Sequence, residues 1–308
     1  MNLVIFVGSN SGKISDYFLK HISKCNTDKF MTMATKNVAE FKNLITVIHN
    51  RFDKIYILPI YCEDVELKRI FKIELAYQVE GICKPYPNCT VFHGSVLGEI
   101  LGDKAKTNKF LTEHGIRCPL IVTNKTDKTV FVNEANSSHA VTKIISAFGE
   151  INPKTYNTEY IDTSFDFDGH KYYASIRAMC IKGIITDIFL RFRNVTENNP
   201  NVHCDNTPIN PELQNFYFND ILTPNMPQLK EICHNMGDLF GFGFYGHDLL
   251  LQSETGQIYV AESSFKFDNI IMWKNLIKPM IPFIPHEMSI EKSTKNSLAI
   301  FCNTVDSF

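Results

Sequence analysis

"GHDLLLQSETGQIYVAESSFKFD", residues Gly246 to Asp268, reads as two strands joined by the turn Glu254–Gly256. Asp248 stands at the head of the first strand, and Glu262 closes the second after the apolar run Ile258–Ala261. Charged side chains are rarely left in a core without a partner. Either the second strand ends at Glu262 and both acids are solvated, or something positive lies between them. A magnesium ion suits such a pair, because it takes oxygen ligands, keeps several waters and uses one or two carboxylates together with nucleotide phosphates.

Upstream, "KYYASIRAMCIKGIITDIFLRFR" (Lys171–Arg193) is a hairpin candidate with its turn in "CIKGII". Arg191 and Arg193 are two residues apart and share one face, with Phe192 on the other. Arg177 lies on the partner strand. Guanidiniums on a half-buried sheet require anions, and arginine favours forked contacts with phosphate or carboxylate. Internal salt bridges with Asp187 or Glu159 are the alternative.

Short strands also dominate between these stretches and Lys128: "TVFVN", "AVTKII" and "NTEYID". The first hundred residues differ. A strand at residues 2–7, the turn "GSNSG", a helix at Lys13–Ser23, a helix at Val38–Phe52, a strand at Lys54–Ile60 and a helix at Val65–Val79 indicate a small α/β domain. The turn is not a P-loop: Gly8 and Gly12 have three residues between them, and Ile14 occupies the Ser/Thr position.

Asp103 is placed to cap a helix with an apolar face of Ala105, Phe110 and Leu111, ended by His114-Gly115. Residues Asn194–Pro227 read as an irregular loop, followed by a helix at Pro227–Phe240. A last helix, Asn269–Ile277, precedes the proline-rich "KPMIPFIPHE".

The chain has 308 residues, 44% hydrophobic and 21% charged, with a formal net charge of −2. That suits a soluble protein of two domains and gives no long-range attraction to nucleic acid or an anionic membrane. Nine cysteines without a CxxC pair favour reduced thiols over a zinc ribbon or disulfide framework. No apolar run approaches the roughly 20 residues of a membrane span. A cytoplasmic protein is expected. "NVHCDN" and "YIDTSFDFDGH" lack the distant partners that a metal site needs.

The order of these motifs resembles the ATP-grasp superfamily over about residues 1–268. "GDKAKTNKFLTEHGIRCP" is similar to its entry into the nucleotide-binding region, "VTKII" to its first ATP-lysine strand, and "NTEYID" to its adenine hinge. "GHDLLLQSETGQIYVAESS" is similar to its metal strand pair. The resemblance implies a fold both α/β and α+β: an N-terminal α/β (pre-ATP-grasp) domain over 1–102, then an ATP-grasp region over 103–308. Within that region, a small nucleotide-binding subdomain (about 119–161) and a C-terminal metal- and substrate-binding subdomain (about 162–308) clasp ATP.

It further implies ATP binding by Lys104, Lys143, Glu159, Tyr160 and Ile161, and magnesium on Asp248, Glu262 and Ser264. Arg177 and Arg191 face phosphate or acyl-phosphate as catalytic groups, and Arg193, His203 and Lys266 face substrate. The activity implied is an ATP-dependent ligase joining a small-molecule or peptide carboxylate to an amine, or to a thiol, through an acyl-phosphate, in a compact form that resembles the peptide-modifying ATP-grasp ligases. A homodimer is compatible with it. A kinase acting on a hydroxyl, or a nucleotide-binding module without turnover, are the alternatives. Three departures bear on this: Ser264 stands where the family has asparagine, the glycine-rich phosphate loop is reduced to "SAFGEINPK", and Lys266 follows Ser264 closely, as a substrate-carboxylate anchor or only a surface lysine. The general base is open among His203, His247 and Asp205.

Overall fold

The computed structural model describes residues 1–8, 20–22, 25–62, 71–124, 126–133, 144–146, 151, 156–195, 202–203, 207–267, 276 and 290–307. The apolar residues 2–7 form β1 (Asn2–Val7), which lies between β2 (Phe30–Thr35) and β3 (Ile55–Pro59) in a parallel sheet. β4 (Cys89–Val91) adds outside β3, giving the order β2-β1-β3-β4. Parallel strands are covered on both faces, which is why β1 and β3 are apolar without alternation.

One face carries α1 (Val38–Ile48) and α2 (Glu74–Cys83), whose Phe41, Ile45 and Val79 pack on Leu3, Ile5 and Ile57. Asn37 starts α1 by accepting the N–H of Glu40. The second helix begins at Glu74, later than the sequence indicates, and residues 65–70 lie outside the described residues. Of the helix expected at Lys13–Ser23, only residues 20–22 are described, and the helix expected at Asn269–Ile277 lies almost wholly outside them. β2, β4 and α3 (Ser95–Leu101) are additions that the sequence pattern did not reveal.

α4 (Lys104–Glu113) starts where Asp103 Oδ1 accepts the N–H groups of Ala105 and Lys106, and it ends at His114 and Gly115 (φ 76°). Its buried side corrects the expected apolar face, since it consists of Lys104, Thr107, Asn108 and Leu111. Neighbouring backbone satisfies the polar members: Thr107 donates to Ile100 O, and Asn108 donates to Pro119 O. A buried polar side chain with its hydrogen bonds made costs little.

β5 (Val130–Asn133), β6 (Ile144–Ser146) and β7 (Tyr156–Glu159) form an antiparallel sheet in the order β6-β5-β7. The free edge of β7 is covered by residues 120–122, with Glu159 N donating to Leu120 O and Val122 N to Asn157 O. The largest sheet contains β8 (Ser164–Phe167), β9 (His170–Ile181), β10 (Ile184–Asn194), β11 (Phe244–Leu251) and β12 (Ile258–Ser264). It runs β10-β9-β11-β12, with β8 paired to β9. The β9–β10 turn is Lys182-Gly183 with φ of 47° and 78°, the two left-handed residues that a tight hairpin requires.

The segment read as an irregular loop before Pro227 is helical from Pro211. α5 (Pro211–Phe216), capped by Asn210, runs through a π turn at Tyr217–Leu222 into α6 (Thr223–Phe240). Pro224 and Pro227 lack the amide hydrogens a regular helix uses. The π turn precedes them, and Thr223 Oγ1 and Asn225 Nδ2 donate to the carbonyls of Phe218 and Ile221. α6 lies against the β9–β10 turn so closely that a Cβ on Gly237 would stand 2.5 Å from Gly183 Cα.

The second face of the parallel sheet packs on the large sheet. Val4 and Phe6 meet Phe242 and Phe244, and α7 (Ile290–Asp306), also not apparent from the sequence, adds Phe301 and Val305. His93, 2% exposed, accepts the N–H of Phe244 at 3.0 Å across this junction.

Candidate active site

One face of the large sheet carries a row of charges whose order follows from strand register. Arg191 on β10 stands opposite Ser175 on β9. Two residues on, Arg177 stands opposite Asp248 on β11, which in turn stands opposite Glu262 on β12. A bulge places Leu249 opposite Val260, leaving Ala261 extra. The bulge turns Val260 into the core beside Leu249 while Glu262 shares a face with Asp248. Both acids therefore sit within strands, and the expectation that they mark strand ends is corrected.

The positive partners of these acids belong to the protein. Asp248 Oδ1 accepts from Arg177 Nη1 at 3.0 Å and from Arg191 Nη2 at 2.8 Å. The second guanidinium also donates to Ser175 Oγ at 2.6 Å, and Arg177 Nη2 donates to Lys266 O at 3.0 Å. Neither Asp187 nor Glu159 plays that part. The Arg177 side chain is 7% exposed, that of Arg191 8%, and that of Asp248 20%. Burial pushes the Asp248 carboxyl up, but the guanidiniums of Arg191 and Arg177 outweigh it and hold the group well below the usual carboxylate range.

Glu262 Oε2 lies 3.7 Å from Lys104 Nζ, at the start of α4. Burial raises its carboxyl, and Lys104 and Lys266 bring it down again to a net lowering.

Above this face a cleft holds about 910 Å³ of empty space, open solvent included. Its walls carry Phe131 of β5, Tyr156 and Glu159 of β7, and Tyr160-Ile161 just beyond; its floor carries Lys104, Arg191, Asp248 and Glu262. An apolar, partly aromatic slot thus opens onto a charged floor. Of the residues singled out in the sequence, Lys104, Glu159, Tyr160, Ile161, Arg191, Asp248 and Glu262 meet here. Glu159 Oε1 accepts the N–H of Leu120, and the Tyr160 hydroxyl donates to Asp162. Lys143 and Asp205 lie outside the described residues.

Other candidates are not among the cleft's lining residues. Arg177 lies behind Asp248, against Gly246, where a Cβ would stand 2.4 Å from its Nη2. Ser264 is fully buried opposite Gly246, its hydroxyl 3.4 Å from Gly246 O. Lys266, Arg193 and His203 are also absent from the lining, although Val202 belongs to it. His247 faces the other side of the sheet, fully buried, with Nδ1 3.0 Å from Ser263 Oγ. Burial holds its imidazole down at about 3, with Arg177 adding to the effect. Sequence reasoning missed the lining residues Phe131, Tyr156, Tyr173 and Ser175; only Ser175, two residues before Arg177, carried a signal, through strand alternation.

The residues expected to hold magnesium are differently placed: Asp248 and Glu262 line the cleft, and Ser264 does not. Asp248 gives Oδ1 to two guanidiniums, which leaves Oδ2, and Ser264 is turned into the strand pair with its hydroxyl toward Gly246 O. Among the described residues no group of three or more His, Cys, Asp or Glu side chains is placed to hold a metal ion.

No protein-family model matches the chain, and no curated protein matches it. Solved structures do. A D-alanine–D-alanine ligase from Bacillus anthracis, complexed with ATP, is 11% identical over 99% of both chains, with a TM-score of 0.45. An L-amino acid ligase from Bacillus licheniformis is 12% identical over 89% of this chain and 68% of its own, at 0.41. A protein of the ATP-grasp superfamily from Archaeoglobus fulgidus is 12% identical over 88% and 83%, at 0.42. These are likenesses of outline, and the chemistry must come from the residues. The mixed architecture itself, a parallel sheet joined to antiparallel ones, is as expected. Among the described residues no helix is long and apolar enough to cross a membrane.

Proposed function

We propose that the chain is an ATP-dependent ligase of ATP-grasp type, joining a carboxylate to an amine through an acyl-phosphate. The observation that supports this most is the cleft: a slot lined by Phe131, Tyr156, Tyr160 and Ile161, leading to a floor where Lys104 and Arg191 stand beside two carboxylates. In this reading the base lies between Phe131 and Ile161, against the backbone of Glu159–Ile161. The phosphates extend over the floor.

The substrate carboxylate attacks the γ-phosphorus, the bond to the β-phosphate oxygen breaks, and ADP leaves. The amine then attacks the acyl carbon, phosphate leaves and the amine gives up a proton. Lys104 and Arg191 offset charge on the transferred phosphoryl group, which is the main task in such a transfer. Arg177 positions Arg191 indirectly, through the carboxylate they share. Residues 1–102 form the N-terminal domain in this reading, and residues 103–308 the catalytic region, working in the cytoplasm on polar small-molecule or peptide substrates.

One observation favours a second reading, a nucleotide-binding module without turnover: Arg177 and Arg191 are already engaged by Asp248, which leaves less of their charge for a transferred phosphoryl group. Phosphate release from ATP distinguishes them, measured against a panel of amino acids and dipeptides offered singly and in pairs. A ligase releases ADP and phosphate only when both an acid and an amine are present, a kinase forms ADP and a phosphorylated product with one hydroxyl acceptor and frees no phosphate, and a module does neither.

A further inference from the structure

Ser175 lies midway along the cleft. On β9 it shares a face with Tyr173, which stands opposite Ser164 just past Tyr160-Ile161, and with Arg177, which stands opposite Asp248. It therefore lines the cleft where the slot meets the charged floor. Its hydroxyl oxygen accepts from Arg191 Nη2 at 2.6 Å, and that guanidinium is anchored independently by Asp248 Oδ1 at 2.8 Å. A hydroxyl has one proton of its own to donate, and among the described residues none accepts this one. The neighbours on this face, Arg177 and Arg191, are donors themselves. An O–H whose oxygen takes a bond from a guanidinium is polarised into a stronger donor, and at 8% exposure Ser175 cannot turn freely to bulk water. What completes it is an acceptor in the cleft, and an acceptor with negative charge suits it best.

We propose that Ser175 is a nucleotide-binding residue, donating its hydroxyl hydrogen bond to a phosphate oxygen at the nucleoside end of the phosphate chain. The proposal rests on the nucleotide reading above. Asp248, Arg191 and Ser175 then work in series: the carboxylate fixes the guanidinium, the guanidinium polarises the hydroxyl, and the hydroxyl meets the phosphate. A buried cation thereby acts on the ligand although its Nη2 is taken twice within the chain. The contact leaves Asp248 Oδ2 and Glu262, on the β11–β12 side of the floor, to a divalent cation.

The test is binding, independent of turnover: isothermal titration of the full chain with ATP in excess magnesium, for the native protein, Ser175→Ala and Ser175→Thr. Arg191 keeps Asp248 in both variants, so the guanidinium stays in place, and circular dichroism checks the fold. Ser175→Ala should weaken MgATP binding by about tenfold, the worth of one hydrogen bond to a charged group, and Ser175→Thr, which keeps the hydroxyl, by no more than about twofold. Adenosine, which has no phosphate, should bind the native and alanine proteins equally. Unchanged MgATP binding by Ser175→Ala overturns the proposal and leaves the ligase reading standing. An equal loss with adenosine, or an equal loss in Ser175→Thr, overturns it too, because the effect then follows the shape of the cleft and not a hydroxyl at the phosphate. Absence of MgATP binding by the native protein overturns both.

Discussion

Replacing Asp248 by asparagine keeps the shape of the side chain and one acceptor oxygen but removes the charge on which two guanidiniums converge. The arginine side chains are 7% and 8% exposed, so water cannot reach them freely. Breaking a buried ion pair by removing one partner costs about 3–5 kcal/mol, because the remaining charge is left uncompensated. The retained amide oxygen and the 20% exposure of Asp248 place this case at the lower end, near 3 kcal/mol by that same estimate. In a chain of this size each kcal/mol lowers Tm by roughly 2 °C, which gives a drop of about 6 °C. Denaturant unfolding followed by circular dichroism supplies the free energy independently.

Adding Arg191→Met to Asp248→Asn should recover part of the loss, since it removes one of the orphaned charges; the cycle isolates the coupling. The pH dependence has a definite sign. The folded carboxyl is held below its unfolded value, so its contribution is complete above the ordinary aspartate pKa and disappears only as pH falls through the folded one. A loss below about 1 kcal/mol for Asp248→Asn, the range of an exposed pair, would refute the account of a buried charge row.

Two buried histidines give a separate acid response. Burial holds His93 and His247 at about 3 against an ordinary 6.5, so unfolding takes up protons between those values and stability falls as pH drops from 6.5. With both titrating the slope reaches about 2.7 kcal/mol per pH unit, readable from urea midpoints between pH 7 and pH 4. Gly237→Ala drives a methyl into the backbone of the β9–β10 turn and should destabilise by about 1–3 kcal/mol in a thermal melt. Gly81→Ala, an exposed position of α2 with open space around it, should stabilise by roughly 0.5–1 kcal/mol in the same assay. Phe301→Ala removes a fully buried ring between Phe6, Phe30 and Phe244 and should cost about 3–5 kcal/mol in denaturant unfolding.

The hairpins were legible because their signals are local. Lys182-Gly183 and Glu254–Gly256 lie between alternating strands, and the Asp103 cap immediately precedes its helix. What failed to show was set by partners distant in sequence. Lys104, Thr107 and Asn108 look like a solvent face until Ile100, Pro119 and Glu262 are brought against them. Pro224 and Pro227 argue for a loop, and the π turn that accommodates them has no sequence mark of its own. At the site, alternation correctly put Arg177 and Arg191 on one face. Their anion, though, was sought in phosphate, Asp187 or Glu159, whereas the strand order β9-β11 supplies Asp248. The sequence marked Asp248 as an acid in need of a cation, and the same register brings two to its Oδ1 from within the chain.

The packing of α7 against β1 and β2 bears on how the polypeptide matures. Val4, Phe6 and Phe30 leave the ribosome well before Phe301 and Val305, which help cover them. At about 5–20 residues per second, the interval between the two is roughly 15–60 s. Throughout it one face of the parallel sheet lacks its cover while the other, against α1 and α2, can already close. Nascent chains of this protein should therefore engage chaperones through that interval, and release should coincide with the emergence of α7.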